Sequence, residues 1–589
     1  MLLSDIDAWN VGALQSIAYE LGGELETIEG VASDLEVISR LPGWDSPAAD
    51  AARGKIAEST GRVLDDAAVI GAVQQLASET AAAVAKLHTE LDSIRADVAA
   101  QGGYLSLSDE GDVTINAPED MHDELRPLAD NIESRAKALI HQASDIDADC
   151  AEVFGRVENG DITAKGATAV AGAQEMGRDQ SGLSAPYPPE GGGATPEDVN
   201  AWWDALSEEE QRAVVAEHPD WIANRDGVPV PVRSDINKES LDRELTDVRQ
   251  QLDELGSRED FLRNSGIDAQ TAAAVYTEWY GALKSRLDNA NAMKSALSVD
   301  GKTANGYDPN RYLMLLEFAA GRDPRAAIAY GNPDTAEHVS VTVPGMNTHP
   351  TSLPGMVDEA NALRNEAQTQ LRLAGKGDEQ VAAIAWFGYD PPDTTDGSVV
   401  AALREGRAND AAPDLGEFYR GINATNENGH DVHLSAFGHS YGSMTTAQAL
   451  YELGQTGVVD DAVFYGSPGL GHTDETVGWG PLERAVPILD EGDLNMADRH
   501  VYVMSTPDDP VSGNPTLLGG LADLNQFGPN PMDLPFERLS TDAAVTGIDQ
   551  VPRDASYGHS DYPRSSDNGL RTAGYNLAII AAGLADDPD

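Results

Sequence analysis

A serine between two glycines is the residue whose setting most clearly suggests chemistry. The segment Gly438–Gly442 reads Gly-His-Ser-Tyr-Gly, follows a short apolar strand-like run and leads directly into a helical pattern. A strand that turns sharply into a helix at a serine is a nucleophile elbow, which holds the hydroxyl exposed above a sheet. Glycines two residues before and two after the serine are expected where strand and helix nearly touch, because a side chain there would clash. Ser440 is therefore the candidate nucleophile.

A nucleophilic serine needs a general base, and a late histidine can supply it. His559 lies in Gly558–Tyr562 (Gly-His-Ser-Asp-Tyr) and is the only histidine after residue 500. It stands just before the last helical pattern of the chain. In that position it would take the hydroxyl proton while Ser440 attacks a carbonyl carbon. His439, beside the serine, is predicted to have a structural role.

A carboxylate that orients the histidine should follow a strand between the two. The run Val501–Val511 supplies two candidates, Asp508 and Asp509. Asp509 is favoured because Asp-Pro-Val at a strand exit is a common setting for such an acid, and Asp508 is the alternative. Serine, acid and histidine in this chain order are what an elbow on an α/β sheet requires.

Hydrogen-bond donors for a developing oxyanion are predicted at two places. Pro344–Asn347 follows a strand-like run, and the backbone N–H of Met346 or Asn347 could converge with that of Tyr441. Each donor of this kind typically lowers the barrier by about 3 kcal/mol.

The elements that must position these residues begin at Arg311, where the periodicity of the sequence changes. Strands and helices are predicted as follows: strands at Arg311–Phe318, Ala326–Tyr330, His338–Val343, Val381–Phe387, Val432–Phe437, Ala462–Tyr465 and His500–Met504, with helices at Val357–Leu373 and Leu570–Leu584. A three-strand meander followed by β-α repeats predicts an α/β-hydrolase domain with a mixed, mostly parallel sheet.

The N-terminal part has a different, helical pattern. Two long helices are predicted within residues 1–100, joined by the turn Leu41–Ser46 that contains Trp44. The paired Trp202 and Trp203 are interpreted as core anchors of a small helical subdomain. The predicted organisation is an N-terminal helical hairpin domain at 1–175 with a small β-hairpin near 104–116, a Pro/Gly-rich linker at 176–197, a helical adaptor at 198–305 and the catalytic domain at 306–589.

Composition excludes several classes of protein. A formal net charge of −60 argues against nucleic acid or an anionic membrane as the main partner. No apolar run approaches the ~18 residues of a transmembrane helix, and no conventional signal peptide is expected. The single cysteine, Cys150, rules out an internal disulfide. The predicted chemistry needs no metal or organic cofactor, and His430 and His433 have the wrong spacing for a helical metal pair.

Five motifs together resemble those of the actinobacterial α/β-hydrolase family of unassigned function. They are Pro344–Asn347, Trp386–Pro392 (Trp-Phe-Gly-Tyr-Asp-Pro-Pro), Gly438–Gly442, Tyr465–Gly471 and Gly558–Tyr562. The segment from Trp202 to Asn237 is similar to the helical region that commonly precedes that domain. The resemblance covers roughly residues 195 to 585, and it implies the fold and a serine-hydrolase triad but no substrate.

The helical hairpin resembles the WXG-motif proteins exported by type VII secretion, although Ser46 stands where their glycine would be. This resemblance implies a secretion partner for the N-terminal helices. The protein is therefore expected either in the cytoplasm or outside the cell by a type VII route.

The sequence favours a serine esterase that forms an acyl-enzyme from a small-molecule or lipid ester. An acyltransferase with the same three residues, which passes the acyl group to an alcohol, is one alternative. A secretion-associated interaction protein with little activity, in which the helical hairpin is the functional part, is the other.

Overall fold

The computed structural model describes most of the chain and separates it into two compact units. The described residues are 1–43, 45–118, 121–189, 194–298, 307–319, 322–393, 406–428, 432–454, 456–477, 484–496, 500–512 and 527–585. The units are Met1–Pro219 and Asp220–Asp589. The division into four segments predicted from the sequence stays a prediction.

The first unit is mainly helical. Its elements are α1 (Leu3–Ala8), α2 (Val11–Ser39), α3 (Pro47–Ala100), β1 (Leu105–Leu107), β2 (Val113–Ile115), α4 (His122–Asn159), α5 (Val170–Arg178), α6 (Pro196–Ala205) and α7 (Glu208–Glu217). The two long helices α2 and α3 are confirmed, and the antiparallel pair β1–β2 confirms the predicted β-hairpin.

Local signals explain where these helices begin. The Ser46 side chain accepts from the Ala49 N–H and Pro47 occupies the first turn, so α3 starts with a capped N-terminus. Trp44, the aromatic of the predicted turn, lies outside the described residues. Trp202 and Trp203 are buried, and the Trp202 indole donates to the Pro186 carbonyl, which confirms that both are core residues.

The second unit carries helices on a large sheet. Its elements are α8 (Val230–Leu255), α9 (Arg258–Asn264), α10 (Ala269–Ala296), β3 (Arg311–Glu317), β4 (Arg325–Tyr330), β5 (His338–Val343), α11 (Leu353–Leu373), β6 (Val381–Phe387), α12 (Gly406–Thr425), β7 (His433–His439), α13 (Tyr441–Leu453), β8 (Asp461–Tyr465), β9 (His472–Val477), β10 (Arg484–Pro487), β11 (His500–Met504), β12 (Glu537–Arg538), β13 (Ala544–Val545), β14 (Pro552–Arg553), β15 (Ser565–Ser566), β16 (Gly569–Leu570) and α14 (Thr572–Ala581).

Eight of these strands form one sheet in the order β12-β11-β8-β7-β5-β6-β4-β3. The pairs from β12 to β6 are parallel, and β6–β4 and β4–β3 are antiparallel. The predicted mixed, mostly parallel sheet is confirmed, but the predicted three-strand meander is wrong. β5 pairs with β6 and β7 instead of β4. The parallel β5–β6 pair needs a crossover, which α11 provides, and β6 thereby comes to lie between β5 and β4.

Helices cover both faces of the sheet. Phe464 and Leu434 point into a core that includes Leu415 of α12, while Val463 points into the opposite core with Leu577 of α14. This alternation follows the two-residue period of a strand. Because β5, β7, β8 and β11 are parallel, their carboxyl ends meet at one edge of the sheet, where an α/β fold places its site. Among the described residues, no helix is long and apolar enough to cross a membrane.

Candidate active site

Ser440 stands at the sharp turn between β7 and α13. Its backbone has φ 54° and ψ −124°, a left-handed conformation that is uncommon for a residue with a side chain. The Ser440 N–H donates to the Tyr465 carbonyl at 3.0 Å, which ties the turn to the neighbouring strand β8. This strained geometry projects the hydroxyl beyond the sheet edge.

The two glycines of the elbow are needed for two different close approaches. A Cβ on Gly438 would lie 2.5 Å from the Ser443 Cα, so strand and helix touch there as predicted. A Cβ on Gly442 would lie 2.3 Å from the Val343 carbonyl oxygen. The second glycine therefore makes room for the end of β5 rather than for the elbow strand itself.

The predicted nucleophile, base and acid lie in one hydrogen-bonded chain. His559 Nε2 is 2.8 Å from Ser440 Oγ, and His559 Nδ1 is 3.0 Å from each carboxylate oxygen of Asp509. A carboxylate can only accept, so Nδ1 carries the proton and Nε2 is left to accept from the serine hydroxyl. This is the tautomer that a base needs before it takes the serine proton.

Asp509 is the acid that the fold brings to the histidine. It is fully buried, and its carboxylate also accepts from the Tyr562 hydroxyl at 2.6 Å and from the Val511 N–H at 2.7 Å. Burial alone would raise the pKa of Asp509, but the hydrogen bonds from His559 and Tyr562 outweigh it and lower the pKa to about 2. The carboxylate is therefore ionised near pH 7.

Asp508, the alternative acid, is exposed and has a different partner. Its Oδ1 accepts from the Gly558 N–H at 2.7 Å. Asp508, in the turn that follows β11, thus contacts the loop that carries the histidine without contacting the imidazole.

The loop after β5 lies against the nucleophile. A Cβ on Gly345 would be 2.5 Å from the Ser440 Cβ, so only a glycine lets this backbone approach so closely. The Asn347 N–H donates to the Pro392 carbonyl at 3.0 Å. Among the described residues nothing accepts from the Met346 N–H. Of the two loop donors predicted for an oxyanion, this arrangement therefore leaves the Met346 N–H available. Tyr441, the other predicted donor, is the first residue of α13.

His439 supports the histidine loop. Its ring stacks on Tyr465 at a centroid distance of 5.0 Å and lies 4.9 Å from the ring of His559, at an angle of 36°. Its Nε2 is 2.8 Å from the His559 carbonyl oxygen. Burial, followed by the neighbouring His559, lowers the pKa of His439 to about 4. His439 is therefore neutral near pH 7 and can donate its Nε2 proton to that carbonyl.

Comparison with known proteins decides the family. A family model described as "Alpha/beta hydrolase" matches residues 321–518. The uncharacterized protein Mb0988c of Mycobacterium bovis is 36% identical over 232 residues, which are 38% of this chain and 75% of that protein. The chain belongs to the α/β-hydrolase family.

One further relative of this hydrolase is a longer protein, and a similar solved structure has a lower sequence identity. The uncharacterized protein Rv2079 of Mycobacterium tuberculosis is 32% identical over 422 residues, or 68% of this chain, and the chain spans 57% of the length of that relative. Among solved structures, LpqC, a poly(3-hydroxybutyrate) depolymerase from Bordetella parapertussis, shares 15% identity with a TM-score of 0.24. The match covers 51% of this chain and 95% of that one.

A cavity of about 530 Å³ opens beside Ser440 of the hydrolase. Its lining includes the apolar side chains of Met356, Leu363 and Leu577 and the charged side chains of Glu359 and Arg564. Burial raises the pKa of Glu359, while the Arg564 guanidinium 3.5 Å away favours its ionised form. The volume lies in the range of sites that enclose small molecules.

No group of three or more metal-ligating side chains occurs in the described part of the hydrolase. His430, of the weighed His430–His433 pair, lies outside the described residues. His433 Nε2 is 2.8 Å from an Asp461 oxygen, at the end of the sheet opposite Ser440.

Three further residues at the site belong to sequence motifs that do not by themselves predict a role for them. Tyr562 donates to Asp509. Gly466, with φ +60°, lies so close that a Cβ would be 3.1 Å from Asp509 Oδ2 and 3.2 Å from His559 Nδ1. Tyr389 contacts the loop beside Ser440. Their positions in the Gly558–Tyr562, Tyr465–Gly471 and Trp386–Pro392 motifs were the available signal, but contact partners cannot be read from a motif.

Proposed function

We propose that this α/β-hydrolase is a serine hydrolase that cleaves carboxylic esters through an acyl-enzyme. Ser440 is the nucleophile, His559 the general base and acid, and Asp509 the carboxylate that orients the imidazole. The observation that carries the proposal is the hydrogen-bonded chain from Asp509 through His559 to the Ser440 hydroxyl at the wall of the cavity.

Acylation begins when His559 Nε2 accepts the hydroxyl proton and Ser440 Oγ bonds to the ester carbonyl carbon. The carbonyl oxygen becomes an oxyanion, and in this proposal the Met346 and Tyr441 N–H groups stabilise it together with the positive end of α13. Collapse breaks the carbon–oxygen bond to the alcohol, which leaves with the proton from His559. Asp509 stabilises the imidazolium while it exists.

Deacylation repeats these steps with water. His559 takes a proton from the water as its oxygen attacks the acyl carbon, and the second collapse returns that proton to Ser440 Oγ and releases the carboxylic acid. Esters are favoured over amides because an alcohol departs with less proton assistance than an amine. The size of the cavity fits a small-molecule ester or the head of a lipid ester.

Replacement of the nucleophile tests the proposal. Ser440→Ala should lower the turnover of p-nitrophenyl esters by about 10⁶-fold and abolish labelling by a fluorophosphonate probe. Ser435→Ala is the matched control, since Ser435 is a buried serine on the same strand whose hydroxyl bonds to the Ile580 carbonyl away from the site. Wild-type protein that neither hydrolyses esters nor takes up the probe would refute the proposal.

Export by a type VII route stays a prediction, and the helical hairpin α2–α3 is its support. In a strain with an active type VII system the protein should accumulate in the culture filtrate, and loss of the secretion system should return it to the cells. Recovery in the cell pellet alone from both strains would contradict the prediction.

A further inference from the structure

The segment after β6, residues 388–392, touches both backbone segments that bear the proposed oxyanion donors. Tyr389 donates its hydroxyl hydrogen to the Pro344 carbonyl, two residues before the Met346 N–H. The Tyr389 ring also lies parallel to the ring of Tyr441, with centroids 6.5 Å apart and an angle of 11°. One side chain thus contacts the loop after β5 and the first residue of α13.

Tyr389 is held firmly enough to act as a spacer. Tyr389 is 2% exposed, and its ring also stacks on that of Trp386, with centroids 5.9 Å apart and an angle of 17°. Gly388 allows this arrangement, because a Cβ there would lie 2.4 Å from the Trp386 indole. The Trp386–Pro392 motif is therefore a packed unit with a single hydroxyl directed at the oxyanion loop.

A second hydrogen bond from the same segment fixes the other end of the loop. The Asn347 N–H donates to the Pro392 carbonyl, and Asn347 has φ 58°. Tyr389 thus restrains Pro344 and Pro392 restrains Asn347, at the two ends of the peptide groups between them. The Met346 N–H belongs to one of those peptide groups.

We propose that Tyr389 is a positioning residue for the oxyanion hole. Through its contacts with the Pro344 carbonyl and the Tyr441 ring, it holds the loop after β5 at a fixed distance from the start of α13. The inference rests on the proposed function, since it requires an oxyanion at Ser440. Donors stabilise an oxyanion only if they lie 2.7–3.1 Å from the position that it will occupy, so a small rotation of the loop weakens the transition state more than the bound ester.

The test compares Tyr389→Phe with the wild type in kcat, KM and inhibition by a trifluoromethyl ketone, which forms an oxyanion adduct with the serine. The variant keeps the stacked ring and removes only the hydroxyl. We expect kcat to fall about 10- to 100-fold, KM to change by less than about 2-fold, and ketone affinity to fall in parallel with kcat. Trp386→Phe, which loosens the stack, should show the same pattern with a smaller loss, and keeps the proposal testable if Tyr389→Phe does not fold.

Tyr419→Phe is the matched control. Tyr419 is a fully buried tyrosine of α12 in the same core. Removal of its hydroxyl should leave the ratio of ketone affinity to KM the same as in the wild type. Active wild type with unchanged kcat and ketone affinity in Tyr389→Phe would overturn the positioning role alone. Equal losses in Tyr419→Phe would also overturn it, because they would reveal a general packing effect. Wild type without esterase activity would overturn this inference together with the proposed function.

Discussion

At the scale of single residues, neighbouring aspartates with the same chemistry have different surroundings. Asp509 is buried among four donors from His559, Tyr562, Val511 and Ser512, whereas Asp508 is exposed and binds one backbone N–H. The depressed pKa of Asp509, about 2, follows from those donors. Only the buried carboxylate can hold the imidazole in one tautomer.

Exchange of each aspartate for asparagine should separate these roles. Asp509→Asn should lower kcat by about 10⁴-fold, because the amide can donate to Nδ1 and stabilise the wrong tautomer. Asp508→Asn keeps an oxygen that can accept from Gly558 and should change kcat by less than about 5-fold. The measurement is steady-state ester hydrolysis by both variants, and equal losses would contradict the assignment of the acid.

The sign of the pH dependence at Asp509 follows from its depressed pKa. Its ionised form stabilises the folded protein at pH values above about 4, and that contribution disappears as the pH falls toward 2. We therefore expect protonation of Asp509 to have little effect on activity between pH 7 and 4.

Gly466 permits the close approach of the acid and the histidine. Gly466→Ala should lower kcat by about 10-fold or more, because the new Cβ would meet Asp509 and His559, and should also destabilise the fold by about 1–2 kcal/mol through its positive φ. Gly454→Ala is a strict control, since Gly454 has φ +66° with nothing within 4 Å of the added Cβ. Denaturant titration should detect destabilisation in both variants. Esterase assays should detect a loss of kcat only in Gly466→Ala. The same loss of kcat in both would contradict this account.

At the scale of elements, α4 of the N-terminal unit carries an acidic residue in an unfavourable place. Asp145 has a buried carboxylate oxygen without a hydrogen-bond partner in the described part of the unit. Burial, followed by the charges of Asp149 and of Glu210 on α7, raises the pKa of Asp145 to about 7. Helix packing here is therefore opposed by ionisation at neutral pH.

A pH-dependent change in stability follows. The raised pKa means that the folded unit binds a proton that the unfolded chain has already lost, so stability is highest below about pH 4 for this group and falls as the pH rises through 7. Asp145→Asn should raise the free energy of unfolding by about 1–2 kcal/mol at pH 8 and by less at pH 5. Thermal unfolding at both pH values measures this, with the exposed Asp147→Asn on the same helix as control. A variant equally stabilised at both pH values would contradict the account.

At the scale of the whole molecule, charge is the dominant property. A formal net charge of −60 spread over the chain produces self-repulsion that opposes compact structure. Salt screens this repulsion over a distance of about 10 Å at 0.1 M.

The folded protein should therefore gain stability with ionic strength. Raising NaCl from about 10 mM to 1 M should increase the midpoint of thermal unfolding by several degrees, whereas sucrose at matched osmolality should give a smaller increase. Differential scanning fluorimetry measures both, and a midpoint that falls with salt would contradict the role of self-repulsion.

Sequence patterns are sufficient to predict the class of fold and the three side chains that we propose as the reacting groups. Ser440 is marked by an elbow whose glycines are a local requirement. Mostly apolar runs of strand length mark β6, β8 and β11, which are buried on both faces, whereas β5 alternates valine with polar residues. Chain order then selects a late aspartate and a late histidine, since the carboxyl ends of parallel strands must meet at one edge.

Features that depend on contacts between distant segments could be identified only from the tertiary structure. The path of the backbone after it leaves a strand determines three of them. These are the contact of His559 with Asp509 and not Asp508, the availability of the Met346 N–H and not that of Asn347, and the contact of Tyr389 with Pro344. The position of β6 between β5 and β4 is likewise a matter of crossover geometry, which the predicted meander missed. Sequence patterns indicate which residues are buried and where the chain turns. The directions of side chains and the distances between residues of different segments are defined only once the sheet has assembled.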